Sequence, residues 1–280
     1  MGSLRRFPRL QALGRVVLCV LGLIGIQAPR AIGAENDAGS PTANWLLTVG
    51  SYGIYAPRFE GSKQNAPDWR PILSFRRSDA REWLTLPNDG VDLELIETSS
   101  FRLGPVVNWR LQRHVDTTCL GCRHFGSVDL SIEAGVFAEF WPKEWWRTRV
   151  EVRAAAIGGD GFVADLSSDV VWKISEAMLV TAGPRLSIAD RSFMQSYYGI
   201  GPAEALALTR ESFEPKGGLR SYGIGTHVKY KFENNWAALG FLEWQHLAGS
   251  ASETPRIEDR GSIDSVTVGL GLSYTFAFKQ

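Results

Sequence analysis

Beyond its first 34 residues the sequence lacks any long apolar run, which excludes a helical membrane protein. A membrane-spanning helix needs about 18 or more consecutive apolar residues, and no later stretch provides them. An excess of one charge is also lacking: 30 Lys and Arg residues match 30 Asp and Glu residues, so nothing points to a nucleic-acid partner. Histidine is scarce, and neither His227 nor His246 lies in a recognisable nucleophile motif. We therefore expect a protein that is not an enzyme and needs no cofactor, with a lipase or protease as the alternative.

Glycine and aromatic residues are abundant instead. The chain holds 29 Gly, 14 Phe and 10 Trp residues. Bulky aromatic side chains favour the pleated surface of strands and Gly favours tight turns, so this mixture is more typical of β-structure than of helices. The composition predicts an all-β protein.

The first 34 residues have the features of a secretory signal peptide. Four Arg residues precede the apolar run 16–26, and the small residues Ala28, Ala31 and Ala34 follow it. The run is too short to span a bilayer, and Leu18 before Cys19 does not fit a lipidation site. We expect residues 1–34 to be removed on export and residues 35–280 to form a single domain.

Apolar and polar residues alternate with a period of two along most of the remaining chain, which predicts strands. In 126–140, for example, the even positions are apolar while Asp129, Ser131, Glu133 and Glu139 occupy odd positions. The predicted strands are 45–56, 69–76, 82–86, 90–96, 101–111, 126–140, 145–157, 161–173, 177–190, 218–232, 236–248 and 264–278. The clearest of them exceed the ~5 to 6 residues typical of soluble sheets and match the ~9 to 11 that a tilted strand needs to cross a bilayer.

The predicted connections alternate between short and long, as they do in outer-membrane barrels. The short set is 77–81, 97–100, 141–144, 174–176 and 233–235. The opposite set contains four long segments, 57–68, 112–125, 191–217 and 249–263, and two short ones, 87–89 and 158–160. We therefore predict a closed antiparallel transmembrane β-barrel of about 12 strands in the outer membrane, with short periplasmic turns and longer extracellular loops. A helix is expected only at Pro202–Arg210, where Pro at the first position and Glu204 fit a helix start.

Several tryptophans fall beside the predicted periplasmic turns. They are Trp45, Trp141, Trp145, Trp146, Trp172 and Trp236. This placement predicts an aromatic girdle at the membrane interface. The alternative is that Trp simply favours strands.

Charged residues of both signs share the polar face of the predicted strands, which a closed barrel turns toward its lumen. The predicted lumen network is Asp129, Glu133, Glu139, Arg147, Arg149, Glu151, Arg153, Asp165, Asp169, Lys229 and Lys231, and the same face carries Asp92, Glu94, Arg102, Arg110, Lys173, Arg185 and Glu243. Nine acids thus face nine bases, and we expect them to pair across strands and plug the barrel or leave it narrowly hydrated. A conducting pore is the alternative, as is acid–base work by Asp165 and Asp169.

His114, Cys119, Cys122 and His124 lie together in one predicted outer loop. Their thiolate and imidazole groups could bind zinc or copper. Signal cleavage leaves Cys119 and Cys122 as the only two cysteines in an oxidising compartment, which favours a disulfide between them and no bound metal. A metal site and free thiols remain the alternatives.

Seven short motifs together resemble the MipA/OmpV family of Gram-negative outer-membrane proteins over roughly residues 45–278. They are Glu60-Gly61-Ser62 followed by Pro71-Ile72-Leu73, Gly183-Pro184-Arg185, Tyr197-Tyr198-Gly199-Ile200, Gly217-Gly218-Leu219, and 247–252 followed by Thr254-Pro255-Arg256-Ile257. The resemblance implies an outer-membrane barrel without a catalytic motif. The chain departs from the family in ending with Lys279 and Gln280 after the aromatic Phe278.

The resemblance also implies partners beyond the membrane lipid. The namesake of the family is a scaffold that binds the lytic transglycosylase MltA and a peptidoglycan synthase, and other members are described as adhesins or porin-like proteins. A scaffold for periplasmic enzymes has to use periplasmic turns, so the interaction candidates are Trp141, Lys143, Glu144, Trp145 and Trp146. A porin-like channel or a surface adhesin or receptor is the alternative function.

Overall fold

The computed structural model describes residues 45–78, 86–110, 131–202, 205–206, 211–233, 235–258 and 261–278. The predicted signal peptide and the segment with His114, Cys119, Cys122 and His124 lie outside these residues. Among the described residues, no helix is both long and apolar enough to cross a membrane.

The described strands form one antiparallel sheet. They are β1 Trp45–Pro57, β2 Asn65–Arg77, β3 Val91–Asp92, β4 Ile96–Glu97, β5 Phe101–Arg110, β6 Ser131–Lys143, β7 Trp146–Ile157, β8 Phe162–Lys173, β9 Met178–Ala189, β10 Gly218–Lys231, β11 Trp236–Leu247 and β12 Asp264–Phe278. Sequential strands from β5 to β12 are neighbours, and β1 pairs with both β2 and β12. The pairing of Trp45 with Phe278 joins the first strand to the last, which makes the sheet a nearly closed barrel.

The predicted 12-stranded barrel is confirmed, with differences around residues 57–97. β2 begins at Asn65, four residues before its predicted start. The predicted strand 82–86 lies outside the described residues except for Leu86, which is not in a strand, and the predicted strand 90–96 is divided into β3 and β4.

The two faces of the barrel follow the alternation of the sequence. On β6, Glu133, Phe137 and Glu139 are buried inside, while Val136 and Phe140, at positions of the opposite parity, are exposed on the outside. Because lipid replaces water around the outside of such a barrel, exposed apolar residues are stable there, and the polar groups turn toward the lumen.

The two ends of the barrel differ in the length of their connections. One end, here the turn end, carries the short connections 98–100, 144–145, 174–177 and 232–235. The opposite end, here the loop end, carries the segments 58–64, 190–217 and 248–263 and the short turn 158–161, in which Gly158 and Gly161 have positive φ values of 76° and 87°. The described connections therefore have the predicted asymmetry.

A helix that the sequence did not predict covers part of the loop end. Helix α1, Arg191–Tyr198, begins at Asp190, whose carboxylate accepts a hydrogen bond from the Phe193 amide at 2.8 Å. Phe193 and Met194 of this helix are buried. They pack in an apolar cluster with Val163, Ala189, Leu247 and Ala251. Further along the chain are a 3₁₀ helix, Gly249–Ala251, and α2, Pro255–Glu258. Within the predicted helix 202–210, Pro202, Ala205 and Leu206 are helical and the other positions lie outside the described residues.

Candidate functional site

The lumen near the turn end is filled by a cluster of ion pairs around Glu139. This residue has no exposed surface. Its carboxylate accepts hydrogen bonds from Arg147 Nη2 at 2.8 Å, Arg102 Nη1 at 3.2 Å and Arg149 Nη1 at 3.3 Å. The indole of Trp141 donates a fourth at 2.7 Å. These partners replace the water that the carboxylate loses inside the barrel.

The Glu139 cluster changes the interpretation of Trp141. Trp141 is only 5% exposed because β6 continues to Lys143 and keeps positions 139 and 141 on the same inward face. It therefore cannot belong to the predicted girdle. That prediction relied on the distance of Trp141 from a turn and neglected the period of two. The girdle prediction fits Trp145, Trp146 and Trp172, which are exposed.

A second group of ion pairs lies nearer the loop end. Arg153 donates to Glu133 at 3.1 Å and also to Glu151 and Asp165, which are opposite each other on β7 and β8. The guanidinium thus separates two facing carboxylates. Asp169 pairs instead with Arg185 at 2.8 Å and with Arg147 at 3.5 Å. The two carboxylates considered as the acid–base alternative, Asp165 and Asp169, are therefore each paired with their own arginines.

The predicted network includes two residues that the structure places at its margin. Lys231 is exposed and Lys229 is half-buried. Lys173, which was predicted to share the same face, is also exposed and pairs with Glu176 at 3.0 Å. Asp129 lies outside the described residues. The other eight predicted members are in the lumen.

The residues Leu86–Gly90, here the inner turn, fold into the lumen rather than forming the predicted outer turn 87–89. The Asp89 carboxylate lies 2.6 Å from Arg147 Nη2, and the Asn88 amide donates to Glu243 at 2.5 Å. Leu86 is buried against Trp141 and Val171, close to the turn end. The inner turn thus blocks part of the lumen from within.

A β-bulge brings Arg220 into the lumen. Leu219 pairs with Ile188 and Ser221 with Ser187, so Arg220 is an extra residue on β10. In the simple alternation Arg220 would share the outer face with Tyr222 and Ile224, whereas the bulge turns its side chain inward, where it is 4% exposed. This is why sequence periodicity missed it.

Glu60 links three parts of the loop end. Its carboxylate lies 2.5 Å from Arg220 Nη1 and 3.0 Å from Arg110 Nη1, and it also accepts a hydrogen bond from the Tyr198 hydroxyl of α1. Burial would raise the pKa of Glu60, but the two guanidinium groups and the hydrogen bonds from Tyr198 and Arg220 outweigh it and lower the pKa to about 2. Burial and the Glu60 charge raise the pKa of Tyr198 well above its ordinary value, so its hydroxyl stays a donor.

Further contacts join three segments of the loop end, residues 58–64, 190–200 and 248–263, which we call the loop cap. The Ser262 amide donates to the Gly61 carbonyl at 2.9 Å, and the Thr254 hydroxyl donates to the Tyr198 carbonyl at 2.8 Å. The Arg110 guanidinium lies over the ring of Phe193 at 5.3 Å. The loop cap therefore forms one interlocked layer at the loop end.

A chamber of about 250 Å³ lies inside the barrel between the loop cap and the inner turn. Six arginines and five carboxylates contribute to its lining, from Glu60 and Arg220 under the loop cap to Asp89 of the inner turn. No group of three His, Cys, Asp or Glu side chains in the described part of the chain has the arrangement of a metal site.

The turn between β6 and β7 presents an aromatic surface at the turn end. Trp145 and Trp146 are 54% and 41% exposed, and their rings stack with centroids 6.2 Å apart. Lys143 and Glu144 beside them are also exposed. Four of the five predicted interaction residues thus form one accessible surface, and Trp141 is the exception.

A nearly closed antiparallel sheet with an apolar outside and a charged inside defines the class of outer-membrane β-barrels. Residues 49–276 match the family model described as MltA-interacting protein MipA. The chain therefore belongs to the MipA family, as its motifs predicted.

Solved structures with a similar arrangement include three outer-membrane proteins. An outer membrane channel, COG4313, from Pseudomonas putida F1 is 11% identical, with 88% of this chain and 100% of that chain covered and a TM-score of 0.43. The translocator domain of the autotransporter NalP from Neisseria meningitidis is 9% identical, with 95% and 96% covered and a TM-score of 0.40. The NanC porin is 10% identical, with 82% and 98% covered and a TM-score of 0.38. No curated protein matches the sequence significantly.

Proposed function

We propose that this protein is an outer-membrane scaffold that links the membrane to peptidoglycan-remodelling enzymes. The partners would be an MltA-like lytic transglycosylase and a peptidoglycan synthase. The observation that carries the proposal is membership of a family described by its interaction with MltA. In this proposal the exported chain spans the outer membrane with its turn end in the periplasm.

The aromatic turn surface supports a binding role in the periplasm. Exposed Trp side chains beside a positive and a negative charge provide the anchors that protein interfaces commonly use. Lys143, Glu144, Trp145 and Trp146 combine these features on one short turn. We assign the contact with the enzymes to this turn.

The filled lumen favours the scaffold over the porin-like alternative. Buried ion pairs from β5 to β9 occupy the lumen near the turn end, and the inner turn adds Asp89 to them. An open pore needs a continuous hydrated path, and a dense network of paired charges leaves little space for one.

A crosslinked pull-down from cell envelopes tests the proposal. The wild-type protein is expected to capture a lytic transglycosylase and a peptidoglycan synthase, identified by mass spectrometry. The double variant Trp145→Ala with Trp146→Ala should lose most of this capture because it removes both exposed rings of the turn surface.

The matched control is Trp69→Ala with Trp244→Ala, which removes two exposed indoles nearer the loop end. This control should capture the enzymes as the wild type does. Equal capture by both double variants would contradict the assigned surface, and the capture of surface ligands through the loop cap would favour the adhesin or receptor.

A further inference from the structure

Arg70 differs from the other arginines that line the chamber. Five of them have a carboxylate within the 4.0 Å of an ion pair: Arg110, Arg149, Arg153, Arg185 and Arg220. Arg70 has none among the described residues. Its two hydrogen bonds both start from Nη1, to the Pro87 carbonyl at 3.1 Å and to the Asn88 side chain at 2.9 Å.

The free edge of Arg70 has the geometry that a carboxylate recognises. Nε and Nη2 have no partner in the described part of the chain and form one side of the planar guanidinium. Two parallel N–H groups on that side match the two oxygens of a carboxylate. The Nη1 bonds to the inner turn hold the group in place, so little rotamer freedom is lost when a ligand binds.

The wall beside Arg70 is held by neighbouring side chains. Arg70 is directly opposite Tyr52 on β1, and the Tyr52 hydroxyl lies 3.0 Å from His227 Nε2. His227 is 2% exposed and lines the chamber. Its Nδ1 is itself buried, so the polar contact offered to a ligand in the chamber comes from Arg70 and not from this atom.

The charge of Arg70 favours an anion over water as the occupant. Asp68 and Glu243 interact electrostatically with Arg70 but lie beyond the 4.0 Å of an ion pair. Water can complete the hydrogen bonds of the free edge, whereas a carboxylate also brings a negative charge into contact with the guanidinium, which is favourable in a confined space. We propose that the chamber is a binding site for a small organic carboxylate, held by the Nε and Nη2 edge of Arg70.

The size of the chamber limits the ligand. A volume of about 250 Å³ is several times the ~30 Å³ that one water occupies, so a carboxylate of a few carbon atoms fits, with or without water. The inference goes beyond the scaffold role and does not depend on it, because Arg70 is inside the barrel and the aromatic turn surface is outside.

Isothermal titration calorimetry on the detergent-solubilised mature protein tests the inference with three probes of similar size: sodium propionate, propionamide and n-propylammonium chloride. Acetate and lactate are titrated as further carboxylates. We expect saturable binding of at least one carboxylate, and no saturable binding of the amide or the ammonium ion. The bound carboxylate should also raise the unfolding temperature.

Variants connect this binding to the guanidinium. Arg70→Gln should weaken carboxylate binding at least tenfold, and Arg70→Lys, which keeps the charge but loses the two-pronged edge, should weaken it less. The control Arg191→Gln removes an exposed guanidinium of the loop end and should bind as the wild type does. Heat-modifiable migration on gels checks that each variant is folded.

Three results would overturn the inference. One is the absence of saturable binding for all three carboxylates. Another is equal binding of propionate and propionamide, which would show that the charge is not recognised. The third is unchanged affinity in both folded Arg70 variants, which would leave only nonspecific anion binding. None of these results bears on the capture of periplasmic enzymes.

Discussion

Replacing Glu60 by Gln removes the one carboxylate that Tyr198, Arg110 and Arg220 share in the described part of the chain, while keeping the size and shape of the side chain. A pKa that falls from 4.5 to about 2 on folding corresponds to roughly 3 kcal/mol of stabilisation at neutral pH. The Gln carbonyl still accepts one hydrogen bond, so we expect a net loss of about 2 kcal/mol. The loss should fall on the loop cap and leave the barrel folded.

Hydrogen exchange followed by mass spectrometry measures this loss directly. The amides of α1, residues 191–198, exchange when the loop cap opens, and a loss of about 2 kcal/mol raises the open population about 30-fold. Exchange in α1 should therefore be faster in Glu60→Gln by this factor, with unchanged exchange in the barrel strands. Glu214→Gln is the control, because Glu214 forms an exposed pair with Arg191 in the same segment and should have little effect.

The same contribution has a defined pH dependence. Because folding lowers the pKa of Glu60, the stabilisation is complete above about pH 4.5 and is lost as the pH falls toward 2. Wild-type α1 should lose protection over that interval, and Glu60→Gln should not show this additional loss. Equal exchange of wild type and Glu60→Gln at neutral pH would refute the assignment of Glu60 as the residue that holds the loop cap.

Three further predictions concern the lumen and the segment outside the described residues. In planar bilayers the protein should give weak or no steady conductance, and large ohmic openings would restore the porin-like alternative. Glu139→Ala removes the buried carboxylate that Arg102, Arg147 and Arg149 share and should lower the unfolding free energy in urea by ~3 to 5 kcal/mol, whereas Glu176→Ala at an exposed turn should keep the wild-type midpoint. Cys119→Ser with Cys122→Ser should leave folding and membrane insertion intact. Mass spectrometry of the unreduced mature wild type should show the loss of two hydrogens that a disulfide causes, and no bound metal. Alkylatable thiols together with bound zinc or copper would support the metal site instead.

The strands and the inward charges were predictable because they follow a regular rule. A period of two separates lipid-facing from lumen-facing residues, so Glu133, Glu139, Arg147 and Arg149 could be assigned to the lumen from position alone. The same rule places Trp141 inside, since it has the parity of Glu139. The assignment of Trp141 to the aromatic girdle failed because its closeness to a turn was given more weight than the period of two.

The residues that periodicity missed are those where the chain departs from a regular strand. Arg220 turns inward only because of a bulge, and a bulge has no reliable signature in one sequence. Glu60 lies in a loop and Asp89 in the inner turn, and both reach the lumen because their segments fold back into it. The partners of Glu60 and Asp89 come from strands that are distant along the chain, so no local sequence pattern indicates these contacts.

The sequence separation of the loop-cap contacts determines when in folding they can form. Glu60 is 138 residues from Tyr198 and 160 from Arg220. Contacts between such distant residues require most of the chain to be in place first, and the pairing of Trp45 with Phe278 sets the last strand beside the first. Protection of the α1 amides from hydrogen exchange should therefore appear late in membrane assembly, after β1 has paired with β12. The appearance of this protection would distinguish completed barrels from chains that are inserted in the membrane but have not yet paired these two strands.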